Sequence, residues 1–487
     1  MQVLRFALMP LAAALLLAGC ATAPPEATAP VETPARFKEA GVQWTTAAPA
    51  EAQNRGSWWK AFGDPVLDGL VERAAVHNTD IHAAAARLAQ ARALVRSAQA
   101  DRLPQVGIGG GANRQAGANT ANGATPATLL NAGASFAYEI DLSGRLARSR
   151  DAAALDAQER EALLQSTRLL VQAETAQTYL ALRATDSELA LVQETVAAYA
   201  NTLRLTRRRH QAGDIAELDV VRVQTELAAT EADALAQQRR RAQLEHALAL
   251  LTGDAASNFT LAPGEWTTAL PAIPPGIPGT VLARRPDVAA AQSGLLAAQA
   301  RLGVARTAWF PSLSLTANGG FASPELGDLF KWSARAWGVG ALLSLPIFDG
   351  GKREAGVQNA QARLDEAMAA YRGQVLGAFR DVEDQLSSLR LLHEQAQAQA
   401  RAVESARRAT TLSDTRYRNG LVSQLELLDA RRSELFNRRQ ALQVRALQYQ
   451  ATVGLVRALG GGWDKAGNAD ATTPPKTQLA SGAAISN

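Results

Sequence analysis

The sequence predicts a membrane β-barrel extended by long α-helical coiled-coil hairpins, built from a structural unit that occurs twice in the chain. Three observations lead to this fold class: an internal repeat with constant spacing, long proline-free stretches rich in helix-forming residues, and four runs of about ten residues in which apolar and polar side chains alternate. Strict alternation gives a strand one apolar and one polar face, which suits a strand between lipid and water.

The internal repeat is defined by four pairs of similar motifs. Each pair is separated by 207 residues, and a constant separation over so long a span indicates duplication rather than chance similarity. The matched positions are Asp80 and Asp287, Pro104 and Pro311, Gly144 and Gly351, and Gly213 and Gly420. We therefore place a first repeat at 44–253 and a second at 281–462, joined by a Pro-rich linker at 254–280.

Each repeat is expected to contain one helical hairpin. The stretches 127–262 and 347–473 lack proline and are rich in Ala, Leu, Gln, Arg and Glu, which favour helix, and Gly213 and Gly420 interrupt them. The hairpins are predicted at about 145–252 and about 350–459. An arm of about 67 residues would reach roughly 100 Å. Apolar residues at seven-residue steps indicate a coiled-coil seam; they are Leu182, Leu189, Val196 and Leu203.

The predicted strands precede the hairpins in both repeats. They cover about 105–115, 131–141, 311–321 and 336–347. Aromatic side chains cluster near one end of these segments, as in the interfacial girdle of a membrane barrel; they are Phe321, Phe330, Trp332 and Trp337. A half-buried soluble sheet is the alternative interpretation of the strands alone.

Four strands are too few to close a barrel in a membrane, and open strand edges are not tolerated in hydrocarbon. A trimer would supply twelve strands to one shared barrel. Two similar repeats per chain would then approximate sixfold symmetry, and the hairpins would continue the barrel as a periplasmic α-barrel.

The N-terminus has the pattern of a bacterial lipoprotein signal. Arg5 precedes an apolar stretch that ends at Leu17-Ala18-Gly19, and Cys20, the only cysteine, follows directly. We predict a signal peptide at 1–19, lipidation of Cys20, a flexible tether at 20–43 and a C-terminal tail at 463–487. An ordinary signal peptide is the alternative. Ala21 after the cysteine resembles lipoproteins that reside in the outer membrane.

Composition excludes several other classes of function. With one cysteine among 487 residues, disulfide scaffolds and cysteine-based zinc sites are excluded. No apolar run of 18 residues is present, which excludes a helical membrane protein. We find no catalytic constellation, no metal site and no need for a cofactor beyond the lipid on Cys20. The net charge of +4 is small, and nucleic acid is not an expected partner.

Several longer motifs identify a family. They are Trp58-Trp59-Lys60-Ala61-Phe62-Gly63-Asp64-Pro65, Arg284-Arg285-Pro286-Asp287-Val288, Ser344-Leu345-Pro346-Ile347-Phe348-Asp349-Gly350-Gly351, Arg416-Tyr417-Arg418-Asn419-Gly420 and Leu459-Gly460-Gly461-Gly462-Trp463. Together they make the chain resemble the TolC-like outer membrane efflux channels, in the OprM/NodT-type lipoprotein branch. The resemblance implies a homotrimer that exports drugs or other small toxic compounds passively, without enzymatic activity. It implies as partners a periplasmic adaptor (membrane fusion) protein and a proton-driven inner-membrane efflux pump.

Two alternatives to small-molecule efflux remain open from the sequence. One is a channel for type I protein secretion. The other is a coiled-coil tether of the envelope without a pore, although a tether has no need of amphipathic strands.

The resemblance also implies a periplasmic gate at the ends of the hairpins. Acidic rings would line the gate, and a polar network around a tyrosine would hold it closed; the matching residues are Asp219, Glu426, Asp429, Tyr417 and Arg416. The turns at Gly213 and Gly420 would face the adaptor. The chain departs from the family pattern at His210, in place of an aromatic residue, and at Val422, in place of a basic latch residue. Arg416, Arg418 or Arg222 could substitute for that latch residue.

Overall fold

A computed structural model of the chain describes residues 34, 36–39, 56–116, 126–273, 281, 282 and 284–461. The predicted signal peptide, Cys20 and the tail at 463–487 lie outside these residues. The α-helices of the described part are α1 (Pro65–His77), α2 (Thr79–Ala100), α3 (Arg145–Gln211), α4 (Glu217–Leu251), α5 (Pro286–Arg306), α6 (Lys352–Arg418) and α7 (Gln424–Ala458). The strands are β1 (Gln105–Gln115), β2 (Ala127–Ile140), β3 (Ser312–Ser323) and β4 (Arg335–Ser344).

The two hairpins reproduce the sequence repeat residue by residue. Helices α3 and α6 both have 67 residues, and α4 and α7 both have 35. The first residues of α3 and α6, Arg145 and Lys352, are 207 positions apart, as are those of α4 and α7, Glu217 and Gln424. The duplication therefore extends from the motifs to the lengths of the helices.

The elements fall into two units. We call the first the sheet unit, which contains the described residues of 82–164 and 287–376, and the second the helical unit, which contains those of 33–81, 165–286 and 377–487. The long helices α3 and α6 contribute residues to both.

In the sheet unit, the four strands form one antiparallel sheet in the order β1-β2-β3-β4. Gln105 of β1 lies opposite Ala137 of β2, and Ser312 of β3 lies opposite Ser344 of β4. Because each residue of the second pair is 207 positions beyond its counterpart, the two strand hairpins have the same register.

This register gathers the alternating apolar residues on one face of the sheet, since directly opposed residues share a face. Val106 lies opposite Phe136, and Leu313 lies opposite both Ile140 and Leu343. We call this the apolar face. The opposite face carries Ser, Thr, Asn and many glycines.

Two strands differ from the predicted ranges. β2 begins at Ala127 rather than 131, because its ladder with β1 continues to the pair Gln115 and Ala127. β4 ends at Ser344 rather than 347, because its neighbour β3 begins only at Ser312, after Pro311. The last residues of the predicted fourth strand thus have no partner strand on that side.

Helix packing in the sheet unit rests on a small apolar cluster. Leu295, Ala298 and Leu302 of α5 are buried with Leu364 of α6. Apolar residues three and four positions apart place one stripe of α5 on α6. Arg301 of α5 also forms an ion pair with Asp156 of α3.

The main core of the helical unit forms around the motif that begins at Trp58. A short 3-10 helix (Trp58–Phe62) buries three aromatic rings, and Asp64 then caps α1 by accepting hydrogen bonds from the backbone N–H groups of Val66 and Leu67, at 3.0 and 3.3 Å. The hydroxyl of Tyr179 donates to the same carboxylate at 2.7 Å. One acidic residue thereby caps a helix and fixes α1 to α3.

The helical unit also contains a buried cluster of charged side chains. Asp186 is 4% exposed and accepts from Arg183 at 3.0 Å and from Arg241 of α4 at 2.7 Å. Arg183 also donates to the carbonyl of Ala262, at 2.9 Å, in the segment that follows the first hairpin. Because each oxygen of the carboxylate accepts from one arginine, the buried negative charge of Asp186 is paired with positive charge at both oxygens.

Candidate functional site

The two hairpins end in turns of the same geometry. In the first turn, Gly213 donates to the carbonyl of His210 and Asp214 donates to that of Arg209, both at 2.9 Å. Gly420 and Leu421 make the equivalent bonds in the second turn, to Tyr417 and Arg416. This is the Schellman motif. The two glycines have φ of 80° and 70°, values that residues other than glycine rarely adopt.

The helices that leave the turns begin differently. Ser423 caps α7, because its hydroxyl accepts from the N–H of Glu426 at 3.3 Å. Ala216 precedes α4 and offers no side-chain cap. Asp219 and Glu426 both lie in the first turn of their helices, where a negative charge is favoured by the helix dipole.

Close to the turns, a polar chain of contacts joins the two hairpins. Arg209 donates to the hydroxyl of Tyr417 at 3.2 Å, and that hydroxyl donates to the side chain of Gln424. Gln424, which is 5% exposed, in turn donates to the hydroxyl of Thr206 at 3.3 Å. The chain of contacts therefore begins and ends on α3 and passes through both helices of the second hairpin.

Two arginines of α7 make a second layer of contacts between the hairpins. Arg431 donates to Thr202 at 2.7 Å and forms an ion pair with Asp414 at 3.2 Å. Arg432 pairs with Glu226 of α4, and its Nε donates to that carboxylate at 2.8 Å. The hydrogen bond with Glu226 raises the pKa of Arg432.

A small apolar layer lies between these polar contacts. Tyr199, Leu203 and Val223 of the first hairpin pack on Leu428 of the second. The hydroxyl of Tyr199 is buried without a hydrogen-bond partner, and burial, followed by the charge of Glu226, raises its pKa. An unsatisfied buried hydroxyl costs stability, so this contact between the hairpins is less stable than a fully hydrogen-bonded one.

The predicted acidic residues lie at the surface around these contacts. Asp219 pairs with Arg222 at 3.6 Å, and Asp429 pairs with Arg432 at 3.6 Å. Glu426 is exposed one turn before Asp429. Their positions leave all three carboxylates accessible to solvent and to ions.

The arginine that contacts Tyr417 is not one of the three that the sequence suggested. Arg222 pairs with Asp219, Arg418 pairs with Asp414 at 2.7 Å, and Arg416 is exposed. The contact is made by Arg209, which lies 207 positions before Arg416 and is its counterpart in the first repeat. Sequence reasoning could have found Arg209 by applying the repeat to the motif around Tyr417. It offered no signal for Gln424, Thr206 or the pair of Arg432 and Glu226.

The described residues contain no group of side chains suited to a metal ion. Among the same residues, none of the helices is long and apolar enough to cross a membrane.

Two matched repeats, an amphipathic sheet, and helical hairpins joined by polar contacts at their ends reproduce the architecture that the sequence predicted. The sequence model of the outer membrane efflux protein family matches residues 70–254 and again 277–461, so the two matches are also displaced by 207 residues. The chain belongs to this family.

Individual relatives support the same assignment over almost the full length. The outer membrane protein OprJ of Pseudomonas aeruginosa is 34% identical over 472 residues, which cover 94% of this chain and 96% of OprJ. The toluene efflux pump outer membrane protein TtgC of Pseudomonas putida is 34% identical over 457 residues, covering 92% and 94% of the two chains. The structure of the outer-membrane channel OprN is similar with a TM-score of 0.84 at 31% identity, covering 91% of this chain and 99% of OprN.

These findings confirm the predicted family, fold class and outer membrane location. The family description and these names refer to efflux and to channels, and none refers to protein secretion or to an envelope tether. The chain is therefore the outer membrane channel of an efflux system and a transport duct rather than an enzyme.

Proposed function

We propose that three copies of this chain form one duct that exports drugs or other small toxic compounds across the outer membrane. The observation that carries the proposal is the four-stranded sheet, in which no strand of the described residues pairs with the outer sides of the edge strands β1 and β4. Open strand edges are not tolerated in hydrocarbon. Three copies supply twelve strands, and the apolar face then contacts lipid while the polar face lines the passage.

The contacts between the hairpins form the closed gate in this proposal. Threefold symmetry turns Asp219, Glu426 and Asp429 into rings of carboxylates around the passage. Such rings attract cations and are costly to crowd together. Tyr417 and Arg209 belong to the contacts that must separate when the hairpins move apart, and individually weak contacts of this kind suit a gate that opens. Arg416 lies in the last turn of α6 and adds positive charge at the hairpin end of the passage.

The turns at Gly213 and Gly420 are the proposed contact with the periplasmic adaptor protein. Equivalent leucines close to both turns are exposed: Leu205 and Leu412 are each 56% exposed, and Leu218 and Leu425 are 57% and 42% exposed. By contrast, Leu428 is 3% exposed while its counterpart Val221 is 50% exposed.

Comparing the exposure of counterpart residues distinguishes two kinds of hairpin surface. A surface that packs against the other hairpin of the same chain is buried in one repeat and exposed in the other, as for Leu428 and Val221. A residue exposed in both repeats lies on a side that no neighbouring hairpin covers. The four leucines thus form six equivalent apolar patches in a trimer, which is the symmetry that an adaptor with helical ends would match.

The duct itself has no energy source, so a partner in the inner membrane must drive export. We assign this role to a proton-driven efflux pump, joined to the duct by the adaptor. The name of TtgC refers to toluene efflux, and an apolar or amphiphilic toxic compound is accordingly the proposed cargo class. A lipid on Cys20 would hold the chain in the outer membrane.

The proposal is tested in the source bacterium by deleting the gene and measuring sensitivity to a panel of drugs, dyes and solvents. Increased sensitivity that the wild-type gene restores is expected. Site-specific photo-crosslinkers at Leu218 and Leu425 should capture a periplasmic adaptor, whereas one at exposed Glu404, about four helical turns before the end of α6, should not. Unchanged sensitivity to the whole panel, together with no captured adaptor, would contradict the proposed function.

A further inference from the structure

The second hairpin contacts a short stretch of the chain that lies far away in sequence, on the N-terminal side. We call residues 36–39 the docking segment, and the end of α7 with the adjoining part of α6 the hairpin base. Phe37 is 2% exposed and packs in a buried apolar cluster at this base. The other buried members of the cluster are Val281, Val382, Leu386, Leu455, Ala458 and Leu459. An aromatic side chain thus seats the docking segment in the helical unit.

Glu383 of α6 binds the backbone of the docking segment. The N–H groups of Lys38 and Glu39 donate to its two carboxylate oxygens, at 2.6 and 2.9 Å. Hydrogen bonds to an ionised acceptor are stronger than those to a neutral one. The counterpart of Glu383 in the first repeat is Ala176, which is completely buried. The carboxylate is therefore present only in the repeat that contacts the segment.

In the first repeat, helix α1 takes the place that Phe37 takes in the second. Leu386 and Leu455 belong to the cluster of Phe37, and their counterparts 207 positions earlier are Tyr179 and Leu248. These two residues share a buried cluster with apolar residues of α1; they are Leu67, Leu70 and Val71. Both repeats thus have a covered hairpin base, but different parts of the chain cover it.

The sequence of the second repeat disfavours a counterpart of α1. Leu67 and Val71 are completely buried, and their counterparts in the sequence are Pro274 and Pro278. Proline inside a helix removes a backbone hydrogen bond and clashes with the preceding turn. The second hairpin base consequently lacks two apolar side chains that the first one has, and Phe37 supplies a large apolar side chain there.

An ion pair shows the same exchange. In the first repeat, Arg183 pairs with Asp186 at 3.0 Å. Their counterparts are Arg390 and His393, so the second repeat keeps the arginine and lacks the acid. Glu39 of the docking segment pairs with Arg390 at 2.9 Å. The segment therefore supplies an acidic group as well as an apolar one.

We propose that the base of the second hairpin is a binding site for the docking segment, which completes a repeat that lacks its own helix and acid. This inference goes beyond the proposed function, because it needs neither a trimer nor a passage. The docking fastens the N-terminal part of the chain to the second hairpin. Phe37 follows Cys20 by 17 positions, and 17 extended residues reach at most about 56–61 Å. With the proposed lipid on Cys20, the docking site is held within that distance of the acyl chains.

Limited trypsin digestion of the full-length protein tests the docking. Cleavage after Lys38 is followed by mass spectrometry, because the bond to Glu39 is the same in every variant below. The rate follows the fraction of molecules in which the segment is released. Phe37→Ala should raise the rate at least about a hundredfold, since a buried ring is lost. Glu383→Ala should raise it at least about tenfold, since two hydrogen bonds are lost.

Two further variants show whether the carboxylate of Glu383 is responsible. Glu383→Gln keeps one oxygen that can accept, so its cleavage rate should lie between those of the wild type and Glu383→Ala. Asp384→Ala removes the exposed neighbouring acid on the same helix and should keep the wild-type rate. Wild-type rates in both Phe37→Ala and Glu383→Ala would overturn the docking. Equal rates in Glu383→Ala and Asp384→Ala would overturn the role of Glu383.

Hydrogen exchange tests whether the segment completes the second repeat. In Phe37→Ala, the amides of 378–390 and 452–459 should exchange faster, whereas their counterparts at 171–183 and 245–252 should keep the wild-type rates. Faster trypsin cleavage without faster exchange at the second base would overturn this part of the proposal.

Both measurements remain decisive if Phe37→Ala fails to fold, because Glu383→Ala leaves the buried cluster intact and can be measured in the same way. Neither measurement depends on export or on lipid. A negative result would therefore leave the proposed function standing, and a failure of the proposed function would leave the docking site standing.

Discussion

Arg209 at the end of the first hairpin donates a hydrogen bond of 3.2 Å to the hydroxyl of Tyr417 at the end of the second. The guanidinium carbon of Arg209 also lies 5.8 Å from the centre of the tyrosine ring, within range of a cation–π contact. Both residues occupy the last turn of a 67-residue helix, at neighbouring positions of the repeat. This contact joins the two hairpin ends of one chain. Its arginine is the same in both repeats, as Arg209 and Arg416, whereas His210 stands where the second repeat has Tyr417.

Replacing Tyr417 with Phe removes the hydroxyl that links Arg209 to Gln424. A typical hydrogen bond contributes about 0.5–1.5 kcal/mol and this hydroxyl makes two, so the ratio of open to closed channels should rise at least about twofold. Single-channel recording in planar bilayers measures this ratio. Arg207→Ala changes an exposed arginine on the same helix end and should leave the ratio unchanged. Equal effects of both variants would show that Tyr417 has no special role in closure.

Removing the acidic residues of the second hairpin should make the passage less sensitive to multivalent cations. Glu426→Ala with Asp429→Ala is expected to weaken block by multivalent cations, because fewer carboxylates face the passage. The isosteric changes Glu426→Gln and Asp429→Asn separate charge from size. If block by a trivalent cation keeps the wild-type concentration dependence in both double variants, the acidic ring is assigned to the wrong residues.

The predicted lipid anchor depends on one sulfur atom. Cys20→Ser should leave the precursor without lipid and uncleaved at that site, because no thiol remains to accept the lipid. Metabolic labelling with a fatty acid, followed by mass spectrometry of the N-terminal peptide, measures both effects. Ala21→Ser alters the neighbouring residue and should retain the label. A labelled Cys20→Ser protein would contradict the anchor.

Stability should depend on Tyr179 at alkaline pH. Burial raises the pKa of Tyr179 to about 12, above the ordinary value of 10.0. The unfolded chain therefore loses this proton first, and the contribution is complete below about pH 10 and is lost as the pH rises toward 12. Tyr179→Phe should remove this part of the decline in melting temperature, since phenylalanine has no proton to lose.

Comparing the melting temperatures of the wild type and the Tyr179→Phe variant separates the effect of Tyr179 from the effects of the other titrating groups. Each protein is measured from pH 8 to pH 12, and the difference between wild type and variant is followed. The difference should shrink between pH 10 and 12. A constant difference across that window would show that Tyr179 titrates normally in the folded protein.

The helices and strands of the two repeats could be predicted from the sequence, because the patterns that indicate them are local. Helix lengths follow from the absence of proline and from the glycine turns, and Gly213 and Gly420 adopt the positive φ that those turns require. The alternating residues predicted the apolar face, since strand periodicity alone determines which side chains share a face. Strand ends were less predictable: β4 ends at Ser344 because of where its neighbour begins, which is a property of the pairing and not of the strand itself.

Sequence patterns did not predict the contacts between segments that lie far apart along the chain. The pair of Arg432 and Glu226 joins residues 206 positions apart, and neither belongs to a recognisable motif. The buried triad of Arg183, Asp186 and Arg241 likewise depends on how α3 and α4 face each other. A charged residue on a helix gives no indication of whether it is solvated or paired until the neighbouring helix is placed beside it.

The central claim is that copies of this chain enclose a continuous aqueous passage. Purified full-length protein reconstituted in planar lipid bilayers should give discrete single-channel steps, rare in the wild type and more frequent in Tyr417→Phe. Bilayers that remain silent with both proteins, after native mass spectrometry has verified their assembly, would contradict the claim.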